Sequence, residues 1–127
     1  MDSILTSIKK LLGIPEDYEH FDSDLIMHIN TVLAILTQLG VGPKEGFNIT
    51  DKTAVWSQFI SNKLYLELVK TYIHLKVKLV FDPPLSSAVT EAMKQMISEL
   101  EFRLLAAAET KSLQGEEVIQ NGTDGTV

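Results

Sequence analysis

Between Asn62 and Phe81 the chain carries one narrow polar line and little else that is polar. At about 100° per residue, Lys63, Glu67, Lys70, His74 and Lys78 fall on a single stripe. Leu64, Tyr65, Leu66, Leu68, Val69, Tyr72, Ile73, Leu75, Val77, Leu79 and Val80 occupy most of the remaining circumference. A helix that is apolar on most sides has to be covered on most sides. This segment therefore predicts the centre of an all-α bundle of about five helices. Asp82-Pro83-Pro84 stops it, because proline has no amide donor and clashes with the preceding turn. Lys76 does not fit, since it lies on the far side from the polar stripe.

The other helices follow from the same periodicity. A first, short helix spans about 3–12, with Ile4, Leu5, Ile8, Leu11 and Leu12 as its apolar stripe, and Gly13 and Pro15 end it. Its length is too small for stability in water, so it must dock on the rest. The linker "PEDYEHFDSD" brings Glu16, Asp17, Glu19, Asp22 and Asp24 together and reads as a solvated loop. A second helix spans about 23–39, with Asp22 as its predicted N-cap and Leu25, Ile29, Val32, Leu36 and Leu39 as its buried face. "GVGPKEGFNIT", residues 40–50, is a loop with three glycines and a proline. A third helix is expected from Thr50 or Asp51 to about Ile60, with Trp56 as a core or loop-anchoring residue.

The fifth helix is expected over about 86–109, its apolar face formed by Val89, Met93, Met96, Ile97, Leu100 and Leu104, with Phe102 on the polar side. Together with the 62–81 helix it predicts a long antiparallel hairpin. The division is thus a helical domain, 1–109, and a C-terminal tail, 110–127. That tail lacks periodicity and is expected to be flexible by itself.

Composition limits the function. There is no cysteine among the 127 residues, which removes disulfides, thiolate metal sites and cysteine nucleophiles. The N-terminus is not a convincing signal peptide, and no apolar run reaches the roughly 20 residues of a membrane span. A cytoplasmic setting is expected. The net charge of -6 argues against general nucleic-acid binding. That charge is uneven: residues 1–62 hold 4 basic and 8 acidic side chains, residues 63–81 hold 4 and 1, and residues 82–127 hold 3 and 8. The central helix is the basic element of an acidic chain, which suits complementary contact with a neighbour.

No catalytic constellation emerges. His20, His28 and His74 lack metal-ligand spacing, and His74 shares its stripe with two lysines. The acids near Asp17 lack a calcium-loop pattern. "GVGPKEG" has no Gly-Lys-Ser/Thr and places Pro43 where a phosphate cradle needs an amide. The Asn48-Ile49-Thr50 and Asn121-Gly122-Thr123 sequons are read as chance matches. No enzyme, metal or cofactor is expected.

"IMHINTVLAILTQLGVGPKEGF" (26–47), "KTAVWSQFI" (52–60) and "KTYIHLKVKLVFDPP" (70–84), in that order and spacing, resemble the phage head-tail connector or adaptor proteins of siphophages and Gram-positive prophages, sometimes called the QLRG or DNA-packaging type. The resemblance covers most of residues 1–105. Gln38-Leu39-Gly40 lacks the arginine of that label. The resemblance implies a structural virion protein, assembled in the host cytoplasm, without catalysis or cofactor. It implies a dodecameric ring under the portal protein that extends the DNA channel and carries a stopper or tail protein, with DNA passing unbound.

On that basis Lys76 and Phe102, with Lys70, His74 and Lys78, are candidates for the subunit interface. Lys76 is expected to meet an acid of a neighbour, so Lys76→Glu would weaken the ring without loss of helicity. The loop residues Val41, Gly42, Pro43, Lys44, Glu45, Gly46 and Phe47 are candidates for the channel or the next ring. Leu113, Val118 and Ile119 are candidates for portal docking by the tail. The competing reading is a small helical interaction or regulatory module, dimeric, acting on a protein partner.

Overall fold

The computed structural model describes the backbone of residues 2–124 and the side chains of residues 2–110. Five helices follow in order: α1 (Ile4–Leu11), α2 (Asp22–Gln38), α3 (Trp56–Phe59), α4 (Lys63–Phe81) and α5 (Ser87–Asp124). The all-α reading holds, and α4 is the central element, packed by α5, α2 and α1. Val69, Tyr72, Ile73 and Val77 of α4 are fully buried. They join Ile4, Leu5 and Ile8 of α1, Leu25, Ile29, Leu33 and Leu36 of α2, and Ile97, Leu100 and Leu104 of α5 in one core. Each such side chain contributes about 1.5–3 kcal/mol of burial, which is what holds the short α1 in place.

Local chemistry sets the helix ends. Ser3 caps α1, its Oγ accepting from the Thr6 amide at 3.2 Å. Asn62 caps α4 by accepting from the amides of Leu64 and Tyr65 at 2.9 and 3.1 Å. Ser86 Oγ accepts from the Val89 amide at 3.3 Å as α5 begins, as expected of a cap. Gly40 closes α2 at φ 91°, a conformation that favours glycine, and a Cβ there would meet Ala108 Cβ at 3.1 Å. That proximity brings α5 against the end of α2.

Three boundaries differ from the sequence reading. Asp22 is not the N-cap of α2: Phe21 holds that position with no side-chain bond, because the Asp22 carboxylate is drawn to Lys9 instead. α3 is only four residues long, because Asp51 closes a turn by accepting from the Thr53 amide at 2.8 Å. The segment before α3 instead pairs with the N-terminus, where Ile4 N donates to Ala54 O at 3.0 Å and Trp56 N to Asp2 O at 3.3 Å. Lastly, α5 continues beyond the expected end at 109, to Asp124.

Candidate assembly surfaces

Lys9 is the one charged side chain buried among the described residues, at 2 % exposure. Its Nζ donates to the carbonyls of Glu16 at 2.9 Å and Tyr18 at 2.7 Å, and it lies 2.9 Å from Asp22 Oδ1. A buried ammonium persists only when its donors are met. Here two carbonyls accept from it and the Asp22 carboxylate balances its charge as an ion pair, and the acidic linker is thereby fastened over the end of α1. Nearby, Phe21 meets Phe81 edge-on at 5.2 Å, which ties the linker to the end of α4. Sequence reasoning missed Lys9. Its one signal was its place four residues after Leu5, at the margin of the apolar stripe; its carbonyl partners leave no mark in a sequence.

Lys76, by contrast, has a partner inside the subunit. It is half-buried, with Nζ 5.8 Å from the centre of the Tyr72 ring. Tyr72 is fully buried and donates through its hydroxyl to Glu101 Oε2 at 2.7 Å, linking α4 to α5. Burial, and after it the Glu101 carboxylate, holds the Tyr72 hydroxyl well above the ordinary tyrosine range. Lys76, expected from its place on the helix to meet an acid of a neighbour, thus has a cation–π contact within its own subunit that accounts for part of its setting.

The polar stripe of α4 is only partly solvated. Lys63 and Glu67 are exposed, but Lys70, His74 and Lys78 are half-buried, since α1 lies along that side. Lys70 stands 5.7 Å from the Trp56 ring centre, and Trp56 donates to Ser7 Oγ at 3.0 Å. Lys78 pairs with Asp82 at 3.4 Å near the surface. Burial, and then the neighbouring Lys78, lowers the His74 pKa, so His74 resists protonation. No His, Asp and Glu grouping among the described residues could hold a metal ion.

The 41–50 loop is firmly seated. Asn30 grips it by donating to Ile49 O at 2.9 Å and accepting from Ile49 N at 2.7 Å, and Ile49 is buried. Val41 is buried as well, and Phe47 rests against Phe59 at 5.8 Å. Val41 and Phe47, expected to face a channel or a neighbouring ring, thus turn toward the subunit's own core. Gly42, Lys44 and Glu45 remain exposed, while Pro43 and Gly46 are half-covered. The side chains of Leu113, Val118 and Ile119 lie outside the described residues.

What the subunit leaves uncovered is apolar surface on the α4–α5 hairpin. Leu85 at its tip is fully exposed, and Val80 beside it is 63 % exposed. Val89 and Met96, expected on the buried face of α5, are about half exposed, because α5 is covered along one side only. Phe102 is 72 % exposed and Leu105 is also open to solvent. One such residue would need no explanation, whereas this many along one hairpin, on more than one side of α5, leave several of its faces open for contact.

The subunit is thus all-α, with one core and a hairpin that leaves several apolar side chains uncovered. A family model described as "Phage connector protein" matches residues 4–111. The chain therefore belongs to the phage connector proteins, a structural and not an enzymatic family whose members connect head and tail in the phage particle. No curated protein and no solved structure gives a match. No helix among the described residues is long and apolar enough to cross a membrane.

Proposed function

We propose that the protein is the adaptor of the head-tail connector, forming a closed, dodecameric ring beneath the portal protein. The ring extends the DNA channel and offers a platform to a stopper or tail protein. The observation that carries this reading is the number of uncovered apolar side chains on the hairpin: Val80 and Leu85 near its tip, Val89 and Met96 on one flank of α5, and Phe102 on the far side of that helix. Ring subunits contact neighbours through two different faces and stacked partners through others, so much of their surface is apolar yet open before assembly. The acidic balance of -6 suits a passage that DNA slides through without being gripped. Leu113, Val118 and Ile119 are the residues we assign to portal contact, and Lys44 and Glu45 those we assign to the channel or the next ring.

Native mass across a wide concentration range, alone and with the portal protein, tests this. Ring-sized particles of about twelve subunits, free or portal-bound, support it. A fixed dimer that ignores the portal would replace it with the dimeric regulatory module.

A further inference from the structure

α1 is eight residues long, too short to hold its shape alone, so it stays folded by lying against α4 and α2. The seam with α4 contains an unsatisfied group. His74 is half-buried, and its Nε2 is closed off from solvent with no hydrogen-bond partner among the described residues. Buried polar atoms are nearly always bonded, so an orphan at a helix seam calls for a reason. Lys70 and Lys78 stand one turn before and one turn after it on the same stripe of α4. Lys10 and Leu11 of α1 line the same open groove as His74.

The charges around this ring decide its state. Asp2 and Glu67 line the groove too, but both are exposed, where solvent screens them. Lys78 is paired with Asp82, and Lys9 of α1 with Asp22 of α2. α5 packs on another side of α4, where Tyr72, about 200° round from His74, holds Glu101. Burial and Lys78 disfavour a proton on the ring, and the Leu11 carbonyl, which favours it, is outweighed. Histidine is also the one residue type in this cluster whose charge changes near neutral pH. The α1–α4 seam is thus closed over a neutral ring. An added proton would bury a further cation beside Lys70 and Lys78.

We propose that His74 is an acid-sensitive latch: neutral, it lets α1 lie closed on α4, and protonated, it releases the last turn of α1 from that seat. The sign follows from the surroundings. The closed seam resists the proton, whereas an opened seam takes it up near the ordinary histidine value of 6.5. The contribution of His74 to the closed state is fully present above about pH 6.5 and is lost as pH falls below it. The linker that Lys9 fastens at the same turn loosens with it. The latch does not rest on the connector reading, since it works within one subunit.

Amide hydrogen exchange on the full chain tests this at about pH 7.5 and about pH 5.5, with rates corrected for the intrinsic effect of pH. On acidification, protection over residues 8–12 should fall at least about threefold more than protection at Ile97 and Leu100 of α5. His74→Gln should abolish that difference, because glutamine keeps a polar side chain that does not titrate. His20→Gln and His28→Gln should leave it in place. Histidine titration by NMR is a second readout and needs no variant: the His74 ring should take its proton below the ordinary value of 6.5. An equal loss of protection in α1 and α5 overturns the latch. So does an effect that survives in His74→Gln, or a His74 ring that titrates at or above the ordinary value.

Discussion

Two regions at the C-terminal end of α4 are built on opposite principles. Where α4 ends beside the linker, polar groups do the fastening: Lys9 meets two carbonyls and Asp22, and Phe21 packs on Phe81. A few residues away, the turn into α5 leaves Val80, Leu85 and Val89 open to water with no fastening of that kind. The first region is complete within one subunit. The second is complete only when something covers it. The difference separates what the fold needs from what the assembly needs, and substitutions in the two regions should fail in different ways.

The largest effect is expected at Lys9. Lys9→Met keeps the length of the stem but leaves Asp22 and two carbonyls without their cation, and should cost about 3 kcal/mol of subunit stability. Chemical denaturation checks this; a loss below about 1 kcal/mol would mean that the linker is not fastened as described. Gly42→Ala comes next. Its φ is 87° and a Cβ there would fall 2.4 Å from the Phe59 ring, so a loss of about 2 kcal/mol is expected. The loop would then be shown to hold Phe59 in place.

Tyr72→Phe should cost about 1 kcal/mol through the lost bond to Glu101. It also has a pH signature. The folded state holds the Tyr72 hydroxyl protonated above its ordinary pKa of 10.0, so the unfolded chain loses that proton first. The stabilisation is fully present below about pH 10 and declines as pH rises past it. The wild type should therefore lose more stability above pH 10 than Tyr72→Phe does, by denaturation at stepped pH. Lys76→Glu places an anion against the same ring, and the expected loss of about 1 kcal/mol falls on the subunit as well as on any ring. The smallest effect on stability is expected across the hairpin. Phe102→Ser and Leu85→Ser should stay within about 0.5 kcal/mol of wild type in denaturation while lowering the yield of assembled particles.

The central helix and the hairpin were legible because a long apolar segment stopped by Asp82-Pro83-Pro84 allows few alternatives. α4 runs Lys63–Phe81, as the pattern required. The exposed Phe102 was legible too, since periodicity alone places it opposite Leu100 and Leu104. The rest turned on contacts that residue types do not encode. Lys9 is buried because main-chain carbonyls reach it, and a stripe of apolar residues says nothing about carbonyls. Val55, Trp56, Phe59 and Ile60 have helical spacing, yet the Asp51 turn and the pairing of Ala54 and Trp56 with the N-terminus leave room for four helical residues. Val89 and Met96 carried the right period for a buried face, but no helix covers that flank of α5. Such misfits between period and burial are where the candidate assembly surface became visible, and they require the packed structure to be seen.

The most direct test of the central claim is maleimide labelling of Leu85→Cys and Phe102→Cys in this cysteine-free chain, free and bound in the connector with the portal protein. The account predicts rapid labelling of both positions in the free subunit and protection of both in the assembled particle. Equal labelling in the two states would contradict it, because the apolar hairpin would then stay open to water in the assembly it is held to serve.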